Sequence, residues 1–432
     1  MNEIKVRFGV NPAKSHSLYL EFVEAPPPGV SYVTDAVAPP PHAGDNWQRK
    51  IGILIWKTEL IRILTDQILV ETLVTGARGN RTFARFVNGL LGLGFDKYSS
   101  EKKPADFDVF HSAGSGMIES IPWIVANDVN WIVDFEHVGS LFGYYGDWHK
   151  RMYNAASRRV ITKQFSSRYC RKILPWTDAA RRTIENILPS DRIAEKTEVM
   201  RLAIRPAPPR PNNLPSHDRV RILFMGTSNF QREFWSKGGY EALESYRILR
   251  ANIGDRVELN FRCWMPYEIR TKYSPLKGLH IIDGVLPREE LNRLFWQSDI
   301  FLFPSHNTPG LAFLEAMRFG LPIVAKDIWA NREIVKNGVN GFLVEPSSGI
   351  AYYLPGFVPN WSGDSGPFIQ QLKTHDQRVI DDIVDCLHSL VESRNLRERM
   401  GSAGLAEVER GSVSIVKRNE QLRRVYEESS RR

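Results

Sequence analysis

The sequence predicts an α/β protein of two domains with parallel strands. Three observations carry that expectation. Short apolar runs alternate with helical stretches, most clearly from Ser298 to Pro346. A proline-rich stretch, Arg205–Pro215 (RPAPPRPNNLP), divides the chain near its middle as a linker would. Its 432 residues suffice for two domains, each with its own core.

Composition narrows the function classes. Hydrophobic and charged fractions of 42% and 25% are those of a soluble globular protein. No run approaches the roughly 18–20 apolar residues of a membrane span, and the charged start MNEIKVRFG does not read as a signal peptide. Cys170, Cys263 and Cys386 lie far apart without metal-ligand spacing, so a reduced, cytoplasmic setting and no metal site are expected. The net charge of +8 favours an anionic partner or surface.

Taken in order, Ile4–Val10 opens with a strand. Pro26-Pro27-Pro28-Gly29 and Pro39-Pro40-Pro41 lack ladder donors and read as extended connectors. Ile51–Trp56 reads as a strand, Thr58–Val74 as a helix, and Arg81–Leu93 as a core-facing helix with Phe83, Phe86, Val87, Leu90 and Leu91 at helical spacing. Phe107–His111 is the next strand, and Ser112–Gly116 a small-residue loop opening a helix. Trp131–Phe135 is a further strand, with Asp134, Glu136 and His137 clustered at its end.

From Lys150 to Arg182 the basic residues are Lys150, Arg151, Arg158, Arg159, Lys163, Arg168, Arg171, Lys172, Arg181 and Arg182, against Asp178 alone. Trp148, Tyr153, Phe165, Tyr169 and Trp176 are interleaved. That pattern suits an anionic membrane or a charged acceptor; no nucleic-acid motif accompanies it, so nucleic acid is not expected as a partner.

Glu198–Ile204 reads as the last strand of the first domain, and Arg221–Met225 opens a second sheet. Leu279–Asp299 reads as strand, glycine and helix. Ile300–Phe303 is an apolar strand of the kind a parallel sheet buries, and Ser305–Gly310 is a loop at its carboxyl end. Leu311–Phe319 is helical, stopped by Gly320 and Pro322. Ile323–Ala325 and Phe342–Val344 are strands, the second preceded by the turn dipeptides Asn337-Gly338 and Asn340-Gly341. Ser347–Asp376 reads as an insertion, Gln377–Val408 as helical, and Ser412–Tyr426 as an amphipathic helix carrying Val413, Val416, Leu422, Val425 and Tyr426 on one face.

A helix N-terminus after a parallel strand presents unpaired N–H groups and a partial positive charge, which suits a phosphate or diphosphate. Gly310 lets a ligand approach the backbone there. Glu315, four residues after Leu311 and on the same face, is placed to reach past the phosphates to a pair of sugar hydroxyls. Each charge-assisted hydrogen bond it accepts is worth about 1.5–3 kcal/mol.

Pro304, Ser305, Gly310, Leu314, Glu315, Ala316, Met317, Gly320, Pro322, Glu333, Ile334, Val335, Gly338, Gly341 and Val344 fall in register with one pattern. It resembles the donor-binding core of retaining family-4 glycosyltransferases (glycosyl transferases group 1) of the GT-B architecture. Asn307 stands where that family carries a Glu. Upstream, Gly226 and Lys237-Gly238 match the family's strand–G-R–loop–K-G–helix unit, with Thr227 in place of the Arg and Arg232 nearby. Asp106 and Asp108 precede their strand as in GT-B enzymes, which argues against the metal-binding D-x-D pair of GT-A enzymes.

The resemblance implies a GT-B fold, two doubly wound Rossmann-like domains facing across a cleft. Residues 1–207 would bind the acceptor, 218–408 the donor, and 409–432 would form a helix packing back on the first domain. It implies sugar transfer from a nucleotide-sugar, as co-substrate, to a glycan, lipid-linked or small-molecule acceptor, with retention and with neither metal nor cofactor. It assigns the donor to Gly226, Thr227, Lys237, Gly284, Val285, Ser305, Gly310, Leu311, Ala312 and Glu315. It places the acceptor at Ser112, Gly114, Glu136 and His137, and gives His137, Asn307 and Glu315 catalytic roles. The expected location is cytoplasmic and peripheral, at the inner membrane face. The alternatives are a non-catalytic sugar-nucleotide or glycan-binding protein, and a phosphorylase or epimerase of the same fold.

Overall fold

The computed structural model describes residues 3–8, 17–33, 107–113, 129–142, 148–214, 217–226, 233–307, 310–360 and 366–431. The expected elements Ile51–Trp56, Thr58–Val74 and Arg81–Leu93 and the cluster Pro39-Pro40-Pro41 lie outside these residues, as do Asp106, Gly114, Thr227 and Arg232. The chain forms two units. One comprises Met1–Arg201 with Gly356–Val358 and Asn419–Arg432, the other Leu202–Pro355 with Pro359–Arg418.

In the first unit, β1 (Ile4–Phe8), β2 (Val30–Val33), β3 (Val109–Ala113), β4 (Trp131–Phe135) and β5 (Cys170–Pro175) form a parallel sheet of order β2-β1-β3-β4-β5. α1 (Ser17–Glu24) links β1 to β2. α2 (Trp148–Tyr153) and α3 (Ala155–Phe165) precede β5, and α4 (Asp178–Ile187) and α5 (Asp191–Ala194) follow it. Val6, Val109, Ile132, Val133 and Ile173 are fully buried, as strands covered on both faces require. Thr177 starts α4 by accepting the Ala180 N–H at its side chain.

Two expectations are corrected here. β3 starts at Val109 and runs to Ala113, because its ladder with β4 continues from Phe110↔Trp131 to Ala113↔Asp134. Ser112 is therefore a buried strand residue, not part of a loop. Glu198–Ile204 is not a strand. Glu198 N donates to Ile173 O and Met200 N to Pro175 O, but Pro175 has no N–H to return, and the region forms only isolated bridges, Ile173↔Thr197 just before it and Ile204↔Ser414 at its end.

In the second unit, β6 (Val220–Met225), β7 (Val257–Arg262), β8 (Leu279–Ile282), β9 (Ile300–Phe303), β10 (Ile323–Lys326) and β11 (Gly341–Val344) form a parallel sheet of order β11-β10-β9-β6-β7-β8. The intervening helices are α6 (Glu233–Ser236), α7 (Gly239–Ile253), α8 (Tyr267–Tyr273), α9 (Arg288–Trp296), α10 (Gly310–Arg318) and α11 (Asn331–Ile334). The chain leaves β6 to lay β7 and β8 on one side, then returns to β9 beside β6 and continues outward on the other. Strand order therefore reverses between β6 and β9, the place where doubly wound sheets hold ligands at their carboxyl edge.

The stretch 347–376 contains two short strands, Tyr353–Leu354 and Val358–Pro359, and α12 (Gly366–Leu372). The region expected to be helical from Gln377 to Val408 is two helices, α13 (Gln377–Glu392) and α14 (Arg394–Arg410), divided at the extended Ser393, whose side chain accepts the Leu396 N–H.

α15 (Ile415–Ser430) contributes its residues from Asn419 onward to the first unit. Leu422, Val425 and Tyr426 are fully buried. Tyr426 Oη lies 2.7 Å from His111 Nδ1 and 3.0 Å from Tyr32 Oη. Asn419 Nδ2 donates to Ala25 O (3.1 Å) and Pro26 O (3.2 Å), and Arg423 to Pro28 O, so the proline turn's carbonyls are satisfied by this helix. Val416, expected on the same face, is 61% exposed. At about 100° per residue, the nine positions to Val425 put the two on opposite sides of the helix. No described helix is long and apolar enough to cross a membrane.

Candidate functional site

The turn between α6 and α7 meets the loop leaving β9 at the carboxyl edge of the second sheet. Gly238 has φ 76°, and a Cβ on it would stand 2.2 Å from Pro304 O, so only glycine lets the two backbones pass. His306 N and Ser305 Oγ both donate to Ser236 O, at 2.8 and 3.3 Å. This brings Lys237, in the turn between α6 and α7, against the β9 loop. Its Nζ lies 3.2 Å from Asn307 Oδ1, which also accepts from Ser305 Oγ at 2.7 Å. Asn307 is buried, and its Nδ2 has no hydrogen-bond partner among the described residues. α10 begins three residues later, with Gly310, Leu311 and Ala312 in its first turn. Gly226, just after β6, packs on Cys263.

Glu315 is not a solvated helix residue. It is buried, with Oε1 accepting from Arg288 Nη2 at 2.8 Å and Oε2 3.2 Å from Arg318 Nη2. The Arg318 side chain is 5% exposed and that of Arg288 45%, so one partner is structural and the other borders solvent. Gly284, at φ 82°, and Val285, largely exposed, follow β8 at the same carboxyl edge. Arg262 Nη2 donates to Gly284 O (3.3 Å), and Arg270 holds the neighbouring Asp283 through two bonds, 2.9 and 2.8 Å.

A buried charged cluster lies beside the Ser305–Asn307 loop. Glu241 Oε1 is 2.7 Å from Lys326 Nζ and 2.5 Å from His306 Nε2, with Lys326 Nζ 2.8 Å from the same ring nitrogen. Burial opposes ionisation of Glu241, but the Lys326 ammonium and His306 hold its carboxyl well below the ordinary range. Burial lowers the affinity of both Lys326 and His306 for a proton.

In the first unit, Glu136 and His137 follow β4, while Asp134 points inward and accepts from Trp176 Nε1 at 3.1 Å. His137 is buried, and its Nδ1 accepts the Gly139 N–H at 3.1 Å, which puts the ring proton on Nε2. Burial lowers its pKa from 6.5 to about 3. Below pH 6.5 the unfolded chain therefore gains a proton at His137 that the folded chain refuses, and stability falls with pH. Between pH 7 and pH 5 the expected loss on this account is about 2 kcal/mol. Denaturant titration of the parent and His137→Phe at both pH values checks this; an equal acid loss in the two proteins would contradict it.

The basic stretch is partly engaged within its own unit. Lys172 pairs with Glu198 (3.2 Å) and Glu428 (3.3 Å), Arg181 with Asp178 and Glu185, Arg171 donates to Glu428 O, and Arg182 lies over Phe357. Arg159 and Lys163, four residues apart on α3, are exposed. The side chains of Trp148 and Arg151 lie outside those described.

Residues 219–353 match the family model described as Glycosyl transferases group 1. The amylovoran biosynthesis glycosyltransferase AmsK of Erwinia amylovora is 30% identical over 165 residues, covering 35% of this chain and 38% of that protein. A sulfoquinovosyl transferase of Arabidopsis thaliana is 29% identical over 134 residues, covering 30% and 20%. The chain thus spans well under half the length of the curated relatives it matches. A glycosyltransferase from Rickettsia africae superposes over 99% of both chains with a TM-score of 0.57 at 12% identity. HepE of Anabaena, in complex with UDP-glucose, superposes over 98% of this chain and 100% of its own, with a TM-score of 0.56 at 12% identity. The fold is GT-B. Within this GT-B chain the family match starts one residue before β6, and it contains Lys237, Asn307 and Glu315 together.

Proposed function

We propose that the protein is a glycosyltransferase that moves a sugar from a nucleoside-diphosphate sugar to an acceptor, with retention and without a metal. The observation that carries this reading is the meeting of Lys237 and Asn307 at the strand-order reversal, just ahead of the first turn of α10. Lys237 Nζ and the N–H groups of Gly310, Leu311 and Ala312 meet the diphosphate and stabilise it as it leaves. Glu315, oriented by two arginines, accepts from the ribose hydroxyls. Asn307 Nδ2 donates to the transferred sugar, with Ser305 fixing the amide. Gly284 and Val285 flank the base, and Gly226 with Thr227 borders the phosphates. On the first unit, Glu136 and His137 serve the acceptor. HepE is described with UDP and with UDP-glucose, which makes uridine nucleotides the first donors to test. The names of AmsK and of the O-antigen biosynthesis protein RfbC of Myxococcus xanthus support a place in polysaccharide assembly.

Calorimetry with UDP and with uridine tests the site. Lys237→Ala is expected to weaken UDP binding about tenfold or more, by loss of a charge-assisted contact, and to leave uridine little changed. Equal weakening of both would make Lys237 structural. A second reading, sugar-nucleotide binding without turnover, is favoured by the amide at Asn307 where the family pattern has a carboxylate. Donor binding with no product on any acceptor would establish it, and product analysis with and without inorganic phosphate separates transferase from phosphorylase or epimerase.

The basic stretch, with Arg159 and Lys163 exposed on α3, is proposed to dock on an anionic membrane or a charged acceptor. Sedimentation with anionic vesicles is expected to fall as salt rises, since the attraction is screened beyond about 10 Å at 0.1 M. Equal binding to neutral vesicles would refute it.

A further inference from the structure

The buried cluster beside the donor loop joins three elements. Glu241 lies in the first turn of α7, three residues after Gly238; His306 sits between Ser305 and Asn307; Lys326 ends β10. All three are more than nine-tenths buried. His306 is held from every side: Nε2 by Glu241, the ring edge by Lys326, the face by a parallel Tyr352 ring at 5.8 Å, and the backbone N–H by Ser236 O. A buried ion pair rarely stabilises a fold more than apolar residues of similar size would. What charge-assisted hydrogen bonds supply is a single orientation. Here the oriented residue is the immediate neighbour of Asn307, and Glu241 reaches it from the helix that follows Lys237.

We propose that Glu241, His306 and Lys326 are positioning residues that lock the Pro304–Asn307 loop onto the α6–α7 turn, so that Asn307 and Lys237 present one fixed geometry to the donor. The proposal rests on the donor-site reading above. It concerns how that site is held, and none of the three residues is assigned to touch the ligand.

Glu241→Gln alone leaves the Lys326 ammonium buried against a neutral amide and is expected to melt early. The informative protein is the paired variant Glu241→Leu/Lys326→Met, which removes both charges and is expected to melt within a few degrees of the parent. Amide hydrogen exchange at His306 and Asn307, measured without ligand, should accelerate about tenfold in it, because local opening then needs less free energy. With UDP and UDP-glucose as probes, UDP affinity should stay within about threefold, while turnover of UDP-glucose drops about tenfold or more. Asn307→Ala, costly to turnover in the parent, should add little in the paired background, as coupled positions do. Unchanged exchange, or a full Asn307→Ala effect in the paired variant, overturns the proposal, and so does a paired variant that cannot fold. A parent that binds no UDP sinks the donor-site reading instead, and the exchange rates still decide the positioning.

Discussion

Glu315→Gln is expected to weaken donor binding by about 10–150-fold, the equivalent of losing 1.5–3 kcal/mol of charge-assisted hydrogen bonding, and to destabilise the fold as well. The second effect comes from Arg318, whose buried guanidinium would face a neutral amide in place of its carboxylate. Removing one partner of a buried pair costs about 3–5 kcal/mol; the amide oxygen still accepts one bond, which sets the expectation at the low end. Thermal melting reads the fold, and calorimetry with UDP and with UDP-glucose reads the site. Asn307→Ala, by contrast, should reduce turnover of UDP-glucose more than binding of UDP. Should Glu315→Gln melt lower yet bind both ligands as tightly as the parent, Glu315 is an anchor for Arg318 and the donor assignment fails.

Removing Asn419–Arg432 is expected to abolish cooperative unfolding of the first unit while the second keeps its own transition. Leu422, Val425 and Tyr426 are completely buried there. At about 1.5–3 kcal/mol for each buried side chain, their loss is comparable with the whole stability of an ordinary domain, about 5–15 kcal/mol. The truncation also exposes His111 Nδ1 and the carbonyls of Ala25, Pro26 and Pro28, which this helix satisfies. Hydrogen exchange resolved by unit measures the result. First-unit strands as protected as in the parent would show the helix to be dispensable.

The centre of the second sheet was legible because its strands are largely buried: Ile300–Phe303 and Arg221–Met225 are mainly apolar runs stopped by Pro304 and Gly226, and the structure moves their limits by at most a residue. Glu315 stood out by its helix face, and Lys237 by its match to the family's K-G pair at a helix start. What holds Glu315 did not. Arg318 is one turn along the same helix and readable in principle, but Arg288 reaches it from another helix, across a loop no periodicity encodes. The Glu241–Lys326 contact joins a helix to a strand 85 residues further along the chain, and each residue alone reads as a solvated charge. His137 could be picked as a residue but not as a buried one, because burial depends on elements far away in sequence. The misread strand at Glu198–Ile204 had the right composition. Its failure lies in Pro175 on the neighbouring strand, which cannot donate to it.

The first unit's dependence on Asn419–Arg432 has a consequence for biosynthesis. Proteins of several domains commonly finish folding from the N-terminus as the ribosome releases them. Here β1 to β5 emerge early yet must wait for a helix translated after the whole of Leu202–Pro355 and Pro359–Arg418. The second unit, complete once Arg418 has been made, is therefore expected to close before the one that precedes it. Throughout that interval the nascent first sheet carries an uncovered apolar surface, which makes it the segment of the chain most in need of a chaperone.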